Sequence, residues 1–226
     1  MAIQLEKVVP FGRSLDEYVQ MFNLTRQDLQ KRILGVADGP ASFNAEGTKL
    51  GYKITSVDPI YALSTTQIRN RFNHVVDDII QQIKATPDDW VWTYHGSPEG
   101  LRRNRQQSLD IFCRDYEVGK AQKRYQVGEL PGLIDGDREY DLGLCSHFLF
   151  LYSDHFDADF HFHSIGEMLR VCQEVRIFPL LTLRLNRSQH LKPTLERLEA
   201  MGYTWEIQKV SYELQRGGNE MLKICQ

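Results

Sequence analysis

Three stretches carry residue types and spacings suited to chemistry. The first runs Arg32-Ile33-Leu34-Gly35-Val36-Ala37-Asp38-Gly39-Pro40-Ala41-Ser42-Phe43. Ile33, Leu34 and Val36 read as a buried strand. The small residues Gly35, Ala37, Gly39 and Ala41 let backbone approach a ligand closely. Pro40 suits the first turn of a helix, whose unpaired N–H groups favour polar or anionic ligand groups. The second stretch, Tyr52-Lys53-Ile54-Thr55-Ser56-Val57-Asp58-Pro59, is an apolar run ending in an acid about twenty residues further on. An acid at the tip of the second strand of a βαβ unit is placed to bond two ribose hydroxyls. The third, Glu139-Tyr140-Asp141-Leu142-Gly143-Leu144-Cys145-Ser146-His147, begins polar, turns apolar and ends in side chains able to face a cleft. Together they point to a nucleoside-bearing ligand.

Other candidates carry less. Asp154 to His163 is rich in metal-ligand types, and His161 and His163 share a face if the chain is extended, but no third ligand is fixed by spacing, so no metal is expected. Arg102, Arg103 and Arg105 read as a solvated helix face or as a contact for phosphate. The four cysteines (Cys113, Cys145, Cys172, Cys225) are scattered without a CxxC pair, the pattern of free thiols in a reducing compartment.

These residues need a scaffold, and 226 residues are enough for one α/β domain. A net charge of −3 argues against strong attraction to nucleic acid or anionic membrane. The longest apolar runs are too short to span a bilayer, and Met1 to Lys7 lacks the apolar core of a secretory signal, so a cytoplasmic location is expected. Ser14-Leu15-Asp16-Glu17 is a capping box that predicts a helix to about Phe22, and Thr25 to Asp28 repeats the signal. Residues 1–30 thus form a helical segment that either packs ahead of the sheet or covers the cleft. A short helix over Ala41–Leu50 follows the motif strand. Thr65 or Thr66 caps a long amphipathic helix reaching about Lys84. Residues 86–122 read as a helical insertion, capped at Ser97. Strands are expected near Tyr125–Pro131, Glu139–His147 and Glu174–Leu181. Helices should start near Ser164 and Ser188. A final hairpin runs Thr204–Gln215, turns at Arg216-Gly217-Gly218-Asn219 and returns over Met221–Ile224.

This order resembles that of the class I S-adenosylmethionine-dependent methyltransferases, and among them a group of uncharacterised, largely cyanobacterial proteins. Ile33 to Ala41 sits where the family has its glycine-rich cofactor loop, and the small residues at every second position resemble GxGxG more than the GxGxxG of NAD proteins. Glu129-Leu130-Pro131 followed by Tyr140 to His147 resembles the family's "LPF…FDLVLCSH" run, and Glu167 to Val171 its helix before strand five. The resemblance covers about residues 30–226. It implies a Rossmann-like three-layer α/β sandwich: a seven-stranded, mostly parallel sheet ending in an antiparallel hairpin of its sixth and seventh strands. It also implies a single methyltransferase-like domain over 1–226 and S-adenosyl-L-methionine as cofactor, held by Gly35, Ala37, Asp38, Gly39, Asp58, Pro59, Glu129, Leu130, Cys145 and Ser146. His147 is the candidate general base or else a structural histidine. Tyr61 and Tyr152 are candidates for shaping a substrate pocket. Two departures stand out. The family's acid at the end of strand one is Gly35 here, with Asp38 as a possible substitute carboxylate. The acid that meets the adenine amino group appears as Gln126 or Glu129. Cys145-Ser146-His147 fixes no substrate class. The expected activity is methyl transfer to an unidentified small molecule; the alternatives are a non-catalytic binding protein and an RNA-modifying enzyme using the arginine cluster.

Overall fold

The computed structural model describes residues 8–226; the reading of Met1 to Lys7 lies outside the described residues. Seven strands form one sheet in the order β3-β2-β1-β4-β5-β7-β6. These are β1 (Arg32–Val36), β2 (Lys53–Val57), β3 (Tyr125–Gln126), β4 (Tyr140–Ser146), β5 (Cys172–Phe178), β6 (Thr204–Lys209) and β7 (Glu220–Cys225). The first five are parallel; β7 runs antiparallel to β5 and β6 antiparallel to β7. Helices α1 (Leu15–Met21), α2 (Phe43–Lys49), α3 (Thr65–Ala85), α4 (Pro98–Ala121), α5 (Ala158–Val171) and α6 (Leu191–Ala200) complete the chain.

Strand alternation builds a core on each face of the sheet. Ile33, Leu142 and Leu144 join a cluster with Phe22, Phe43, Phe72 and Phe112 from the first four helices and their flanks. Leu34, Val36 and Cys145 join the opposite cluster with Ile165, Met168 and Leu198 from α5 and α6. The sheet therefore lies between two helical layers, as expected. Among the described residues, no helix is long and apolar enough to cross a membrane.

Register positions the site. Val36 lies opposite Val57 on one side and Cys145 on the other. The residues that follow, Ala37, Asp58 and Ser146, therefore emerge together at the carboxyl edge, where the chain turns to β2 on one side of β1 and β4 on the other. Such a switch in strand order opens a crevice in α/β sheets.

Several local expectations are corrected. The long helix α3 is capped by Ser64, not Thr65 or Thr66, in a reciprocal box with Gln67. Helix α2 begins at Phe43, so Pro40 precedes it instead of opening it. The Ser42 N–H donates to the Arg13 carbonyl at 3.0 Å, which ties this helix start to the N-terminal segment. Strand β3 is only two residues long. Helix α5 starts at Ala158 under an Asp157 cap, not near Ser164. In a helix His161 and His163 no longer share a face. His161 is fully buried, and both its ring nitrogens meet backbone carbonyls, those of Asp157 and Leu149. Strand β6 stops at Lys209, and residues 210–219 form a connection that buries Tyr212 and Leu214.

The segment 86–122 packs as part of the helical layer, with α4 against α2, α3 and β3. Its Arg105 is buried and makes a two-pronged ion pair with Glu17 of α1, Nη1 to Oε2 at 2.9 Å and Nη2 to Oε1 at 2.7 Å. The tyrosine hydroxyl of Tyr212 donates to the same Glu17 at 3.0 Å.

Candidate functional site

A cleft of about 520 Å³ opens at the carboxyl edge of β1, β2 and β4. That lies within the range of ~300–1,000 Å³ usual for small-ligand sites. Ala37, Asp38, Gly39, Asp58, Pro59, Glu129, Leu130, Ser146 and His147 all line it. Of the other sequence candidates, Gly35 and Cys145 are fully covered in their strands and do not reach the cleft. Burial pushes the Cys145 thiol up to about 12, so it stays protonated.

The loop after β1 has an unusual backbone. Ala37 and Gly39 both have φ of 57°, a left-handed conformation that a residue with a Cβ adopts at a cost. Ala37 is held there by its N–H donating to the Val57 carbonyl at 2.8 Å. A Cβ on Gly39 would meet no atom within 4 Å, so its backbone faces open space. Asp58 closes the turn: Oδ2 accepts from Gly39 N–H and Oδ1 from Ile60 N–H, each at 2.8 Å. Each oxygen keeps a lone pair for a further donor. Burial raises the Asp58 carboxyl to about 6 despite those two bonds.

Gly35 is explained by its neighbour. A Cβ there would collide with the Asp38 carboxylate, which folds back over the strand end. Asp38 is buried and accepts from the Tyr18 hydroxyl and the Ser56 hydroxyl, both at 2.6 Å. Burial, with the nearby charge of Asp58, lifts its carboxyl to about 7 against the pull of those hydrogen bonds. The Asp38 carboxylate thus occupies the space that a side chain at position 35 would fill.

Of the two candidates for meeting an adenine, Glu129 lines the cleft and Gln126 does not. His147 stands at the far end of the cleft, with φ of 53° and its N–H on the Phe178 carbonyl. Its Nδ1 lies 2.9 Å from Ser146 Oγ. Burial, then the positive charges of Arg13 and Arg105, hold its imidazole well below the ordinary range, so it is neutral and its protonated form is disfavoured.

Tyr61 does not reach the cleft. It is fully buried among Phe112, Tyr116 and Tyr125 and donates its hydroxyl to the Gly39 carbonyl at 2.8 Å, supporting the loop from below. Tyr152 lines a second hollow of about 80 Å³ beyond His147. Sequence reasoning missed Tyr18, Arg13 and Gln215. Tyr18 lies in the helix that the capping box predicts, at a position whose spacing alone suits a core aromatic, and its hydroxyl reaches Asp38. Arg13 precedes the α1 cap, and Gln215 lies in a segment read as strand; nothing in their spacing marks them.

Among the described residues, no group of three or more His, Cys, Asp or Glu side chains is arranged to hold a metal ion. No family model matches the chain. Among solved structures, the mitomycin 7-O-methyltransferase MmcR is similar over 94% of this chain and 53% of its own, with a TM-score of 0.50 and 11% identity. The magnesium protoporphyrin IX methyltransferase of Synechocystis PCC 6803, crystallised with SAH, is similar over 93% of this chain and 80% of its own, with a TM-score of 0.47 and 13% identity. The fold is that of the class I S-adenosylmethionine-dependent methyltransferases. Within that fold, the chain belongs to the same family as an uncharacterised protein of Methanocaldococcus jannaschii, to which it is 35% identical over 223 residues, 98% of each chain.

Proposed function

We propose that the protein transfers a methyl group from S-adenosyl-L-methionine to a small-molecule acceptor. The observation that carries this reading is the single cleft shared by the left-handed loop at Ala37–Gly39, the Asp58 carboxylate and His147. The residues present fit the cofactor. Gly39 offers bare backbone, and Asp58 has lone pairs for ribose hydroxyls. Pro59, Ile60 and Leu130 give apolar surface for a base, with Glu129 beside it. Asp38 supplies the carboxylate for the methionine end.

When bound, that cofactor supplies a methyl group already activated on a sulfonium. The protein's work is then mainly to align donor and acceptor, worth roughly 7–11 kcal/mol of barrier. A general base adds about 10²–10⁴-fold. His147 would accept the proton that the acceptor releases, provided that a bound anion offsets the Arg13 charge disfavouring its imidazolium. The imidazolium so formed sits beside Ser146 Oγ.

The carboxylate placed over Gly35 supports an enzyme in preference to a non-catalytic scaffold. An RNA acceptor is disfavoured because Arg102 is paired with Asp77 at 2.8 Å and Arg105 is buried on Glu17, leaving only Arg103 of the cluster. The four free cysteines support work in a reducing cytoplasm.

Calorimetric titration with S-adenosylhomocysteine tests the reading. The natural sequence should bind it, and Asp58→Ala should weaken binding at least about tenfold, since each charge-assisted bond lost is worth roughly 1.5–3 kcal/mol. No binding by the natural sequence, or unchanged affinity in the variant, overturns the site as assigned.

A further inference from the structure

Arg13 lies where the main cleft meets the smaller hollow. Four residues line both spaces: Val9, Phe11, Arg13 and His147. The backbone of Arg13 is pinned to the start of α2 by the bond from Ser42 N–H. Its guanidinium is not neutralised. Nη1 donates to the Phe11 carbonyl at 2.6 Å, and Nε is buried without a partner. Among the described residues, no carboxylate lies within ion-pair distance of it. The carboxylate whose charge acts on it, Glu17, is taken by Arg105, Tyr212 and the Ser14 N–H. Burial and the charge of Arg105 accordingly lower Arg13 to about 10, still fully charged at neutral pH.

A second buried polar atom without a partner lines the hollow, Gln215 Oε1. The orientation of that amide is fixed, because its Nε2 donates to the Thr182 carbonyl at 3.2 Å. Most of the remaining wall of the hollow is apolar, including Ile79, Ile83 and Leu101. Arg71, exposed at the cleft, is a second cation without an ion-pair partner among the described residues. Asp38, Asp58 and Glu129 occupy the loop side of the cleft. A half-buried, uncompensated guanidinium is costly unless a ligand completes it.

We infer that the acceptor is a small organic acid with an apolar body, its carboxylate held by Arg13 and its body seated in the hollow beyond His147. Arg13 balances one negative charge at the mouth of the hollow, and Arg71 is exposed to solvent and does not line the hollow, which favours a carboxylate over a phosphate dianion there; His147 and His95 are both held neutral and add no charge. Bidentate pairing also suits the planar fork of arginine. Gln215 Oε1 then takes a hydroxyl or N–H on the same molecule. This inference rests on the methyl-transfer reading for the word acceptor, but the anion site is tested separately from it.

The probes are 3-phenylpropionate and its neutral amide, titrated by calorimetry into the full-length protein with and without saturating S-adenosylhomocysteine. The acid should bind at least about tenfold more tightly than the amide. In Arg13→Gln that preference should fall to within about threefold, and Arg13→Lys should keep part of it. Thermal melting of each variant confirms that it is folded. Affinity for S-adenosylhomocysteine should be unchanged in both variants. No preference for the acid in the natural sequence, or a preference that survives in Arg13→Gln, overturns the inference. So does a fall of about tenfold or more in S-adenosylhomocysteine affinity in Arg13→Gln, because Arg13 then serves the cofactor's own carboxylate. If S-adenosylhomocysteine fails to bind while the Arg13-dependent preference persists, the methyl-transfer reading falls and the anion site stands.

Discussion

Gly35 and Asp38 act as a pair. The strand position has no room for a side chain because the carboxylate three residues on occupies that space and takes hydrogen bonds from Tyr18 and Ser56. Gly35→Asp alone should therefore crowd two carboxyl groups into a buried site and cost about 3 kcal/mol in urea denaturation. Adding Asp38→Gly should return at least half of that loss, because the new carboxylate can then accept from Tyr18 and Ser56. A double variant no more stable than Gly35→Asp would show that position 38 does not substitute for position 35. The other informative residues are those whose partners come from far along the chain. Tyr18 looked like an ordinary core aromatic from its helical spacing, and only folding brings its hydroxyl to Asp38.

Helix α1 does two jobs through one side chain. Glu17 completes the capping box, accepting from the Ser14 N–H at 3.0 Å, and at the same time neutralises Arg105 of α4. Burial alone would raise its carboxyl; the charge and hydrogen bonds of Arg105 bring it down to about 2 instead. Ser14→Ala should cost only about 1 kcal/mol, the usual worth of a cap. Glu17→Gln leaves a buried guanidinium uncompensated and should cost about 3–5 kcal/mol by chemical denaturation. Equal effects of the two changes would mean that the ion pair contributes nothing beyond the cap. Through this network the segment 86–122, the N-terminal helix and the connection 210–219 are tied together beside the cleft. The capping box was readable as SLDE; the second role of its glutamate was not, because Arg105 is 88 residues away.

At the scale of the molecule, the buried carboxyls set the response to pH. Asp38 and Asp58 titrate higher in the folded chain, at about 7 and about 6, than the 3.8 of a free aspartate. The folded state therefore binds more protons than the unfolded one across that window, and stability falls as pH rises from about 4 to about 7. Glu17 works the other way, since its folded value lies below 4.5: its contribution is complete above that value and is lost as pH drops toward 2. The ligand-free protein should be most stable near pH 4, with a melting midpoint that declines toward pH 7. Asp38→Asn should flatten the decline. A midpoint that climbs steadily from pH 5 to 7 would contradict the environments of these two acids.

Local sequence determined the parts of this protein that depend on neighbours within a few residues. The strand–turn–helix at residues 32–50, the acid closing β2, the box at Ser14–Glu17 and the alternation of β4 are all properties of short-range sterics and hydrophobic period. So is most of the sheet, once those strands are placed in order. Where an expectation missed, two signals competed, as when Asp157 capped α5 ahead of Ser164, or when the stretch after Lys209 kept the look of a strand while turning under the sheet. Which side chains share the cleft was decided only in three dimensions. Parallel register brings residues 37, 58 and 146 to one edge, and tertiary packing brings Arg13 to the cleft, the Tyr18 hydroxyl to Asp38 beneath it and Gln215 to the adjoining hollow. Buried hydrogen bonds and uncompensated charge are made between residues scores of positions apart, so no period in the chain records them.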